Sequence, residues 1–345
     1  MPLPLLESLL TNPLTIETRA DWRATADGFF ADWPADQMSL SDQAPDDDVY
    51  ARVLYALSAA ITATERHVSP RPGYGSAHLK RVLTWALGIA YNDGLDRLSS
   101  VRLLLAAAFS DLGRELVLED SAALYHGAAS AVIFDQFAAQ IVLPASVMLP
   151  ARYAILAHSS ERPDYDDVSL RVVDDARTVD KLDSLGAAGL VRALANLVFK
   201  PAIAFLPEAG SRERPSVLWG WWRVTSNLYP IKVSVYGRDS AADAIAWGYS
   251  AMDEEISHPT ASHDITATLF SLITLVETVV PDNCYDLLDA RMHDLPTGAY
   301  HRWGEVFEET RARLVDEEME QTRVRDLARR TGDPLFVGVA RLLEE

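Results

Sequence analysis

Apolar residues recur at helical spacing in successive segments of this chain, and this repeat constrains the fold more than any other feature. The first segment follows three consecutive aspartates, which are favourable at a helix N-terminus, and its apolar residues are Val49, Val53, Leu54, Leu57 and Ile61. Pro70 is predicted to stop this helix. A second segment repeats the pattern with Leu79, Val82, Leu83, Ala86, Leu87 and Ala90. The sequence therefore predicts a fold that is mostly or entirely α.

Four further helices are predicted before residue 190 from capping and stop residues. Ser99 and Ser100 are predicted to cap the third helix, and Gly113 to stop it. The other predicted boundaries are Ser121 to Ala131 for the fourth helix, a start after Pro150 and an end near His158 for the fifth, and a start after Asp166-Asp167 for the sixth. Further along, Ile231, Val233 and Val235 alternate with polar residues in the manner of a short strand. The very charged segment from Glu305 to Arg330 is predicted to be helical.

The charge of the chain excludes several classes of function. Lysine and arginine number 31 against 50 aspartates and glutamates, so the net charge is −19, which disfavours general nucleic-acid binding and binding to anionic membranes. No apolar run approaches the ~18–20 residues of a membrane span, and residues 1–10 lack the basic region of a secretory signal. Cys284 is the single cysteine, which excludes an internal disulfide framework. We predict a cytoplasmic globular protein.

Five side chains of metal-binding type lie at the ends of consecutive predicted helices: His78, Asp111, His126, His158 and Asp180. Imidazole and carboxylate ligands together suit a divalent metal such as Mn, Fe, Co, Ni, Zn or Mg. Ligands from several helices can converge in the core of a helical bundle. We predict that these five side chains converge in one pocket, although a single histidine is more often a surface or core residue.

The order of these residues and their local contexts resemble the HD superfamily of metal-dependent phosphohydrolases, whose pattern is His, His-Asp, His, His, Asp. The most specific part is the segment from Asp180 to Arg192, which is similar to the Asp-Ala-Asp-Lys-Leu-Asp-Ala-Leu-Gly stretch of a bacterial HD subgroup. The resemblance covers about residues 72 to 200 and implies an HD-like helical bundle. Domains are expected at 1–70 (an N-terminal helical extension), 71–200 (the HD-like core) and 201–345 (a mostly helical region packed on the core).

The chain departs from the HD pattern at the dipeptide that gives the family its name, because Ser110 precedes Asp111 where histidine is expected. Tyr74 replaces an upstream histidine, and Thr178 replaces the first aspartate of the Asp-Ala-Asp element. In the two-metal form of the family, one ion would have His78, Asp111 and Asp180 and lack the ligand at Ser110. The other ion would have Asp111 as a bridge together with its two histidines, His126 and His158.

Two functions follow from the resemblance. The first is an HD-type phosphohydrolase that acts on a nucleotide or another small phosphoester, with one ion or a weakened pair activating a water. The second is a degenerate HD-fold pseudoenzyme, without a metal, that serves as a ligand- or protein-binding module. Ser110 favours the second function, whereas the retained His126, His158 and Asp180 favour the first.

Catalytic roles are expected for Asp111 as the bridging or anchoring carboxylate and for Lys181 beside the ligands. Lysine and arginine offset the charge of a phosphate, and the other cations near the ligands in sequence are Lys80, Arg81 and Arg192. Ordinary ion pairing in an acidic chain is the alternative role of these cations. Asp183 is expected either to orient a ligand or to cap the turn before Gly186.

Other features carry weaker predictions. His263-Asp264 is a His-Asp dipeptide, but it follows Asp180 in the chain and is more simply a helix start. The tryptophans between residues 219 and 222 are expected in the core, with an aromatic floor for a base or sugar as the alternative. The charged segment from Glu305 to Arg330 is expected to be a solvated helix face, with pairing to a second copy of the chain as the alternative.

Overall fold

The computed structural model describes residues 46–66, 75–114, 126–158, 171–184, 188–189 and 303–344. These ranges contain eight helices and no strand: α1 Asp47–Arg66, α2 Ser76–Asn92, α3 Arg97–Phe109, α4 His126–Gln140, α5 Ala145–Ala157, α6 Arg171–Ser184, α7 Trp303–Arg330 and α8 Pro334–Leu342. The predicted all-α fold is confirmed for this part of the chain. The predicted strand around Val233, the tryptophans of residues 219–222, Cys284 and the His263-Asp264 dipeptide lie outside the described residues.

The described residues fall into two compact units. The first contains the described residues of the ranges 46–66, 82–180 and 324–344, and the second contains those of 75–81 and 181–323. The domain boundaries expected from the sequence stay predictions. Among the described helices, none is both long enough and apolar enough to cross a membrane.

The first unit is organised around α3, which is buried on almost every side. Ten of its thirteen residues are buried, and α1, α4 and α5 pack against it. The ring of Phe109 meets that of Phe134 edge to face at 5.1 Å between centroids, and it lies 5.7 Å from the ring of Phe137. Burial on almost every side explains why α3 is apolar without interruption from Leu103 to Phe109. The C-terminal end of α3 is therefore held in the core by its neighbours.

The N-termini of α1 and α3 are both capped by aspartate. Asp46 Oδ1 accepts a hydrogen bond from Val49 N at 2.9 Å, which agrees with the predicted acidic start of the first helix. The prediction that Ser99 and Ser100 cap α3 is wrong, because Asp96 is extended at φ −62° and ψ 166° and its side chain accepts from Ser99 N at 2.7 Å. Ser100 instead donates from Oγ to the Asp96 carbonyl one turn back.

Pro150 lies inside α5, which begins at Ala145, so the prediction that the fifth helix follows Pro150 is wrong. Proline has no N–H, and the carbonyl of Ser146 four residues earlier therefore lacks its helical donor. Arg102 on α3 donates from Nε to that carbonyl at 2.9 Å. The neighbouring helix thus supplies the hydrogen bond that proline removes. The fourth helix ends later than predicted, because α4 continues to Gln140.

Val142 follows α4 in the left-handed region, with φ 56°, which is strained for a β-branched residue. The backbone there closes the helix, because Leu143 N donates to the Ala138 carbonyl at 3.1 Å. The valine side chain is 67% exposed, so little burial would be lost by removing it.

We expect Val142→Gly to raise the free energy of unfolding by about 1 kcal/mol, because glycine adopts positive φ without a steric cost. Urea unfolding of both proteins at one pH measures the difference. Val142→Ala is the matched control, since alanine removes the branched side chain but keeps a Cβ in the same conformation, and it should gain less. A Val142→Gly protein no more stable than the parent would contradict the strain at this position.

The C-terminal helices α7 and α8 are joined by a short turn. Gly332 has φ 69°, and Asp333 caps α8 by accepting from Leu335 N at 2.9 Å. In the first unit, α8 packs on α1, where the methyl groups of Leu54 lie against Gly338. The helix predicted from the charged segment at Glu305 to Arg330 is confirmed as part of α7. Pairing of this helix with a second copy stays a prediction.

Candidate metal centre

The turn that carries Asp111 is fixed between the end of α3 and the start of α4. Ser130 on α4 is fully buried, and its hydroxyl donates to the Ser110 carbonyl at 2.6 Å and accepts from Gly113 N at 2.9 Å. One side chain therefore satisfies two backbone groups of the turn that the helix leaves without partners. This arrangement places Asp111 beside the first residue of α4, which is His126.

Gly113 permits the close approach of this turn to α4. A Cβ at this position would lie 2.3 Å from Ser130 N and 2.6 Å from the carbonyl carbon of Ala129, which are backbone atoms that cannot rotate away. The sequence predicts Gly113 as the stop of the third helix, but α3 ends at Phe109, with Ser110 as its C-cap. The glycine is needed here for close packing.

Asp111, His126 and His158 bring three possible ligand atoms together. His126 Nε2 lies 3.1 Å from Asp111 Oδ1 and 2.9 Å from His158 Nε2, and the distance from His158 Nε2 to Asp111 Oδ1 is 3.7 Å. The two imidazole side chains are 5% and 3% exposed, and the carboxylate is 18% exposed. The group is nearly enclosed but open on the side of the carboxylate.

The ring orientation of His158 is determined by its backbone contact. His158 caps α5, and its Nδ1 lies 2.6 Å from the Ile155 carbonyl, which can only accept. Nδ1 therefore carries the proton, and in the neutral ring Nε2 keeps a lone pair directed at Asp111 and His126. A backbone carbonyl that orients an imidazole in this way is common behind metal-binding histidines.

Burial lowers the pKa of His126 below its ordinary value, and the nearby Arg114 guanidinium lowers this pKa further. The Asp111 carboxylate acts in the opposite direction, but its effect is smaller than that of burial. His126 is therefore held in the neutral form at neutral pH, which is the form that binds metal ions.

Asp180 on α6 lies close to the same carboxylate. One carboxylate oxygen of Asp180 and one of Asp111 are within 4.8 Å of each other, as are the ligand atoms of Asp111, His126 and His158. Asp111 is thus the shared member of both contacts. Lys181, the next residue, belongs to α6, but its side chain lies outside the described part of the structure, as does Arg192.

His78 belongs to the second unit, where it forms a buried cluster with Arg81 and Asp183. Its Nδ1 lies 2.7 Å from Asp183 Oδ2, and Arg81 donates from Nε to Asp183 Oδ1, also at 2.7 Å. Because the carboxylate accepts, His78 carries its proton on Nδ1, and Nε2 keeps a lone pair in the neutral ring. Of the two roles expected for Asp183, these contacts match that of a residue that orients a ligand.

Arg114 is a site residue that sequence reasoning missed. Its Nη2 donates to Asp111 Oδ1 at 2.7 Å and lies 3.0 Å from His126 Nε2. The position of Arg114, three residues after Asp111 and directly after a close-packed glycine, is the sequence feature that could have indicated it.

Ser110, at the position where the predicted HD pattern has a histidine, directs its hydroxyl into its own helix. Oγ donates to the Ala106 carbonyl at 2.5 Å, and the residue is 9% exposed. The hydroxyl therefore provides a hydrogen bond to a backbone carbonyl in the last turn of α3. The donor set beside it, two imidazole nitrogens and carboxylate oxygens, nevertheless matches the ligand chemistry of a divalent transition metal.

Comparisons with protein-family models, with curated proteins and with solved structures found no match to this chain.

Proposed function

We propose that Asp111, His126 and His158 bind a divalent metal ion in a phosphohydrolase of the HD type, which acts on a nucleotide or another small phosphoester. The observation that supports this proposal is the approach of two imidazole nitrogens and one carboxylate oxygen to within 4.8 Å of one another in a nearly enclosed position.

The remaining ligands of the proposal come from the HD resemblance. Asp180 is proposed as a second carboxylate ligand, which its distance to Asp111 supports. The role of His78 as a further imidazole ligand stays a prediction of the resemblance. A divalent metal in such a site polarises a phosphoryl oxygen and lowers the pKa of a bound water. Asp111 anchors the ion, and Lys181 is proposed to offset the charge of the phosphate.

The metal content of protein purified without chelator tests this proposal most directly. We expect Asp111→Ala and Asp180→Ala to lose most of the bound metal, because each removes a carboxylate ligand. His263→Ala, which changes the other His-Asp dipeptide, should keep it. Metal analysis of the four proteins, followed by a generic phosphoester assay with Mn²⁺ added, provides the measurement. Equal losses in all three variants would mean that the ligand assignment is wrong.

The second candidate function is a degenerate HD-fold protein that binds a ligand or a protein partner without catalysis. The observation that favours it is Ser110, whose hydroxyl is bonded to the Ala106 carbonyl and not to a neighbouring ligand atom. A parent protein that contains no metal after purification, and that shows no phosphoesterase activity with added Mn²⁺, Ni²⁺ or Mg²⁺, would favour this function.

A further inference from the structure

The guanidinium of Arg114 contacts two of the three ligand atoms in the candidate metal centre. Its Nη2 and Nε lie 2.7 Å and 3.1 Å from Asp111 Oδ1, and Nη2 lies 3.0 Å from His126 Nε2. The side chain is only 16% exposed, so water weakens these contacts little. The cation thus lies against the same atoms that a metal ion would use.

The donor and acceptor roles in these contacts follow from the chemistry of the side chains. Arginine has N–H donors and no acceptor, so a hydrogen bond between Nη2 and His126 Nε2 requires the tautomer of His126 whose Nε2 carries a lone pair. In the neutral ring of His158, Nε2 also carries a lone pair, because Nδ1 of that ring donates to the Ile155 carbonyl. Three acceptor atoms then lie 2.9–3.7 Å from one another, and the Arg114 guanidinium places a positive charge against two of them.

We propose that Arg114 competes with the metal ion for Asp111 and His126, so that metal binding requires the guanidinium to release both ligand atoms. This inference rests on the metal centre proposed above. Metal–ligand bonds of ~2.0–2.2 Å use the same lone pairs that now accept from Arg114. A divalent ion and a guanidinium on one carboxylate oxygen would also repel each other strongly. Arg114 therefore lowers the metal affinity of the centre and moves when metal binds.

Isothermal titration with Mn²⁺ of the parent protein, Arg114→Gln and Arg114→Lys tests the competition. A single neighbouring charge shifts a proton equilibrium by about 1–3 pKa units, so Arg114→Gln should bind Mn²⁺ roughly tenfold tighter or more. Arg114→Lys keeps the positive charge but not the planar guanidinium, so its Mn²⁺ affinity should lie between those of the parent and Arg114→Gln. Arg152→Gln is the matched control: Arg152 pairs with Asp135 at 2.9 Å, is similarly buried and contacts none of the three ligand atoms. Its Mn²⁺ affinity should equal that of the parent.

A second measurement on the parent protein does not depend on how the variants fold. In ¹⁵N NMR the Nε–H of Arg114, assigned by its loss in Arg114→Lys, should shift and exchange faster with water when Zn²⁺ is added to saturation. An unchanged Arg114 signal at saturating Zn²⁺ would overturn the competition.

The outcomes separate this inference from the proposed metal centre. If Arg114→Gln binds Mn²⁺ no tighter than the parent while Asp111→Ala abolishes binding, the centre stands and the competition is overturned. Arg114 would then be a residue that orients Asp111. If no protein in the series binds metal, the centre itself is overturned, and the competition with it.

Discussion

Asp183→Ala is expected to lower the free energy of unfolding by about 3–5 kcal/mol, the usual cost of removing one partner of a buried ion pair. The Asp183 side chain is fully buried and accepts from both Arg81 and His78. Alanine would leave the Arg81 guanidinium, which is only 10% exposed, without this carboxylate. The loss is large because the Arg81 charge, in a place that water reaches poorly, would lose the carboxylate that accepts two hydrogen bonds from it. Urea unfolding of the two proteins measures it.

Asp326→Ala is the matched control for this prediction. Asp326 pairs with Arg329 at 3.0 Å on the solvent side of α7, and Arg329 also contacts Glu344. Removing this carboxylate leaves no buried charge, so we expect a change of about 0.5 kcal/mol or less.

A double variant separates charge from packing. Arg81→Met combined with Asp183→Leu removes both charges and should recover much of the stability lost in Asp183→Ala. A double variant that is as unstable as Asp183→Ala would show that the lost packing, and not the loss of the Arg81–Asp183 ion pair, is the main cause.

The helices could be predicted because the spacing of their apolar residues indicates which face of each helix is buried. Val53, Leu57 and Ile61 all lie on the buried face of α1, as the helical repeat requires. In α3 the apolar residues are nearly continuous, and the structure buries that helix on almost every side. These features depend on residues close together in the chain, which is why sequence alone was sufficient.

Helix ends that depend on distant residues could not be predicted. Pro150 is compatible with the interior of α5 because Arg102, from another helix, donates to the carbonyl that proline leaves without a donor. Asp96 and Ser99 are both good capping residues, and the choice between them is made by the extended backbone at Asp96.

In the candidate site, too, the residue types could be predicted from the sequence, but the contacts between distant residues could not. Residue types and their order identified Asp111, His126 and His158 as possible ligands, and their ligand atoms lie within 4.8 Å of one another. The contacts of Arg114 could not be predicted, because they depend on how the turn at Gly113 packs against α4. The pairing of His78 with Asp183 joins residues 105 positions apart in the chain.

We expect Ser110→His to lower the stability of the protein without metal and to raise it when metal is added. Ser110 is 9% exposed and lies at the end of a buried helix, so without metal a larger side chain should cost about 1–3 kcal/mol by overpacking. The serine hydroxyl would also no longer bond to the Ala106 carbonyl. With metal, an imidazole at this position would add the ligand that the resemblance to the HD pattern predicts there.

The stability that Ser110→His gains from metal depends on how tightly the metal binds the folded protein. A ligand that binds only the folded state stabilises it, and the parent gains stability from bound metal as well. The variant therefore overtakes the parent when the added imidazole tightens metal binding by about 5–150-fold, which offsets an overpacking cost of about 1–3 kcal/mol. We therefore expect Ser110→His to melt below the parent protein in chelator and above it in saturating Mn²⁺ or Ni²⁺. Paired thermal melts measure this, and Ser110→Leu is the control of similar bulk without a ligand atom, which should gain nothing from metal that the parent does not.

The two outcomes that contradict this prediction have different meanings for the function. If Ser110→His shows no metal-dependent shift while the parent already binds a full complement of metal, serine is accommodated in a working site, and the hydrolase proposal gains. If neither protein binds metal, restoring the histidine has not restored a centre. The helical fold would then be retained for binding a ligand or partner, because the residues that still match the HD pattern would not be sufficient to hold an ion.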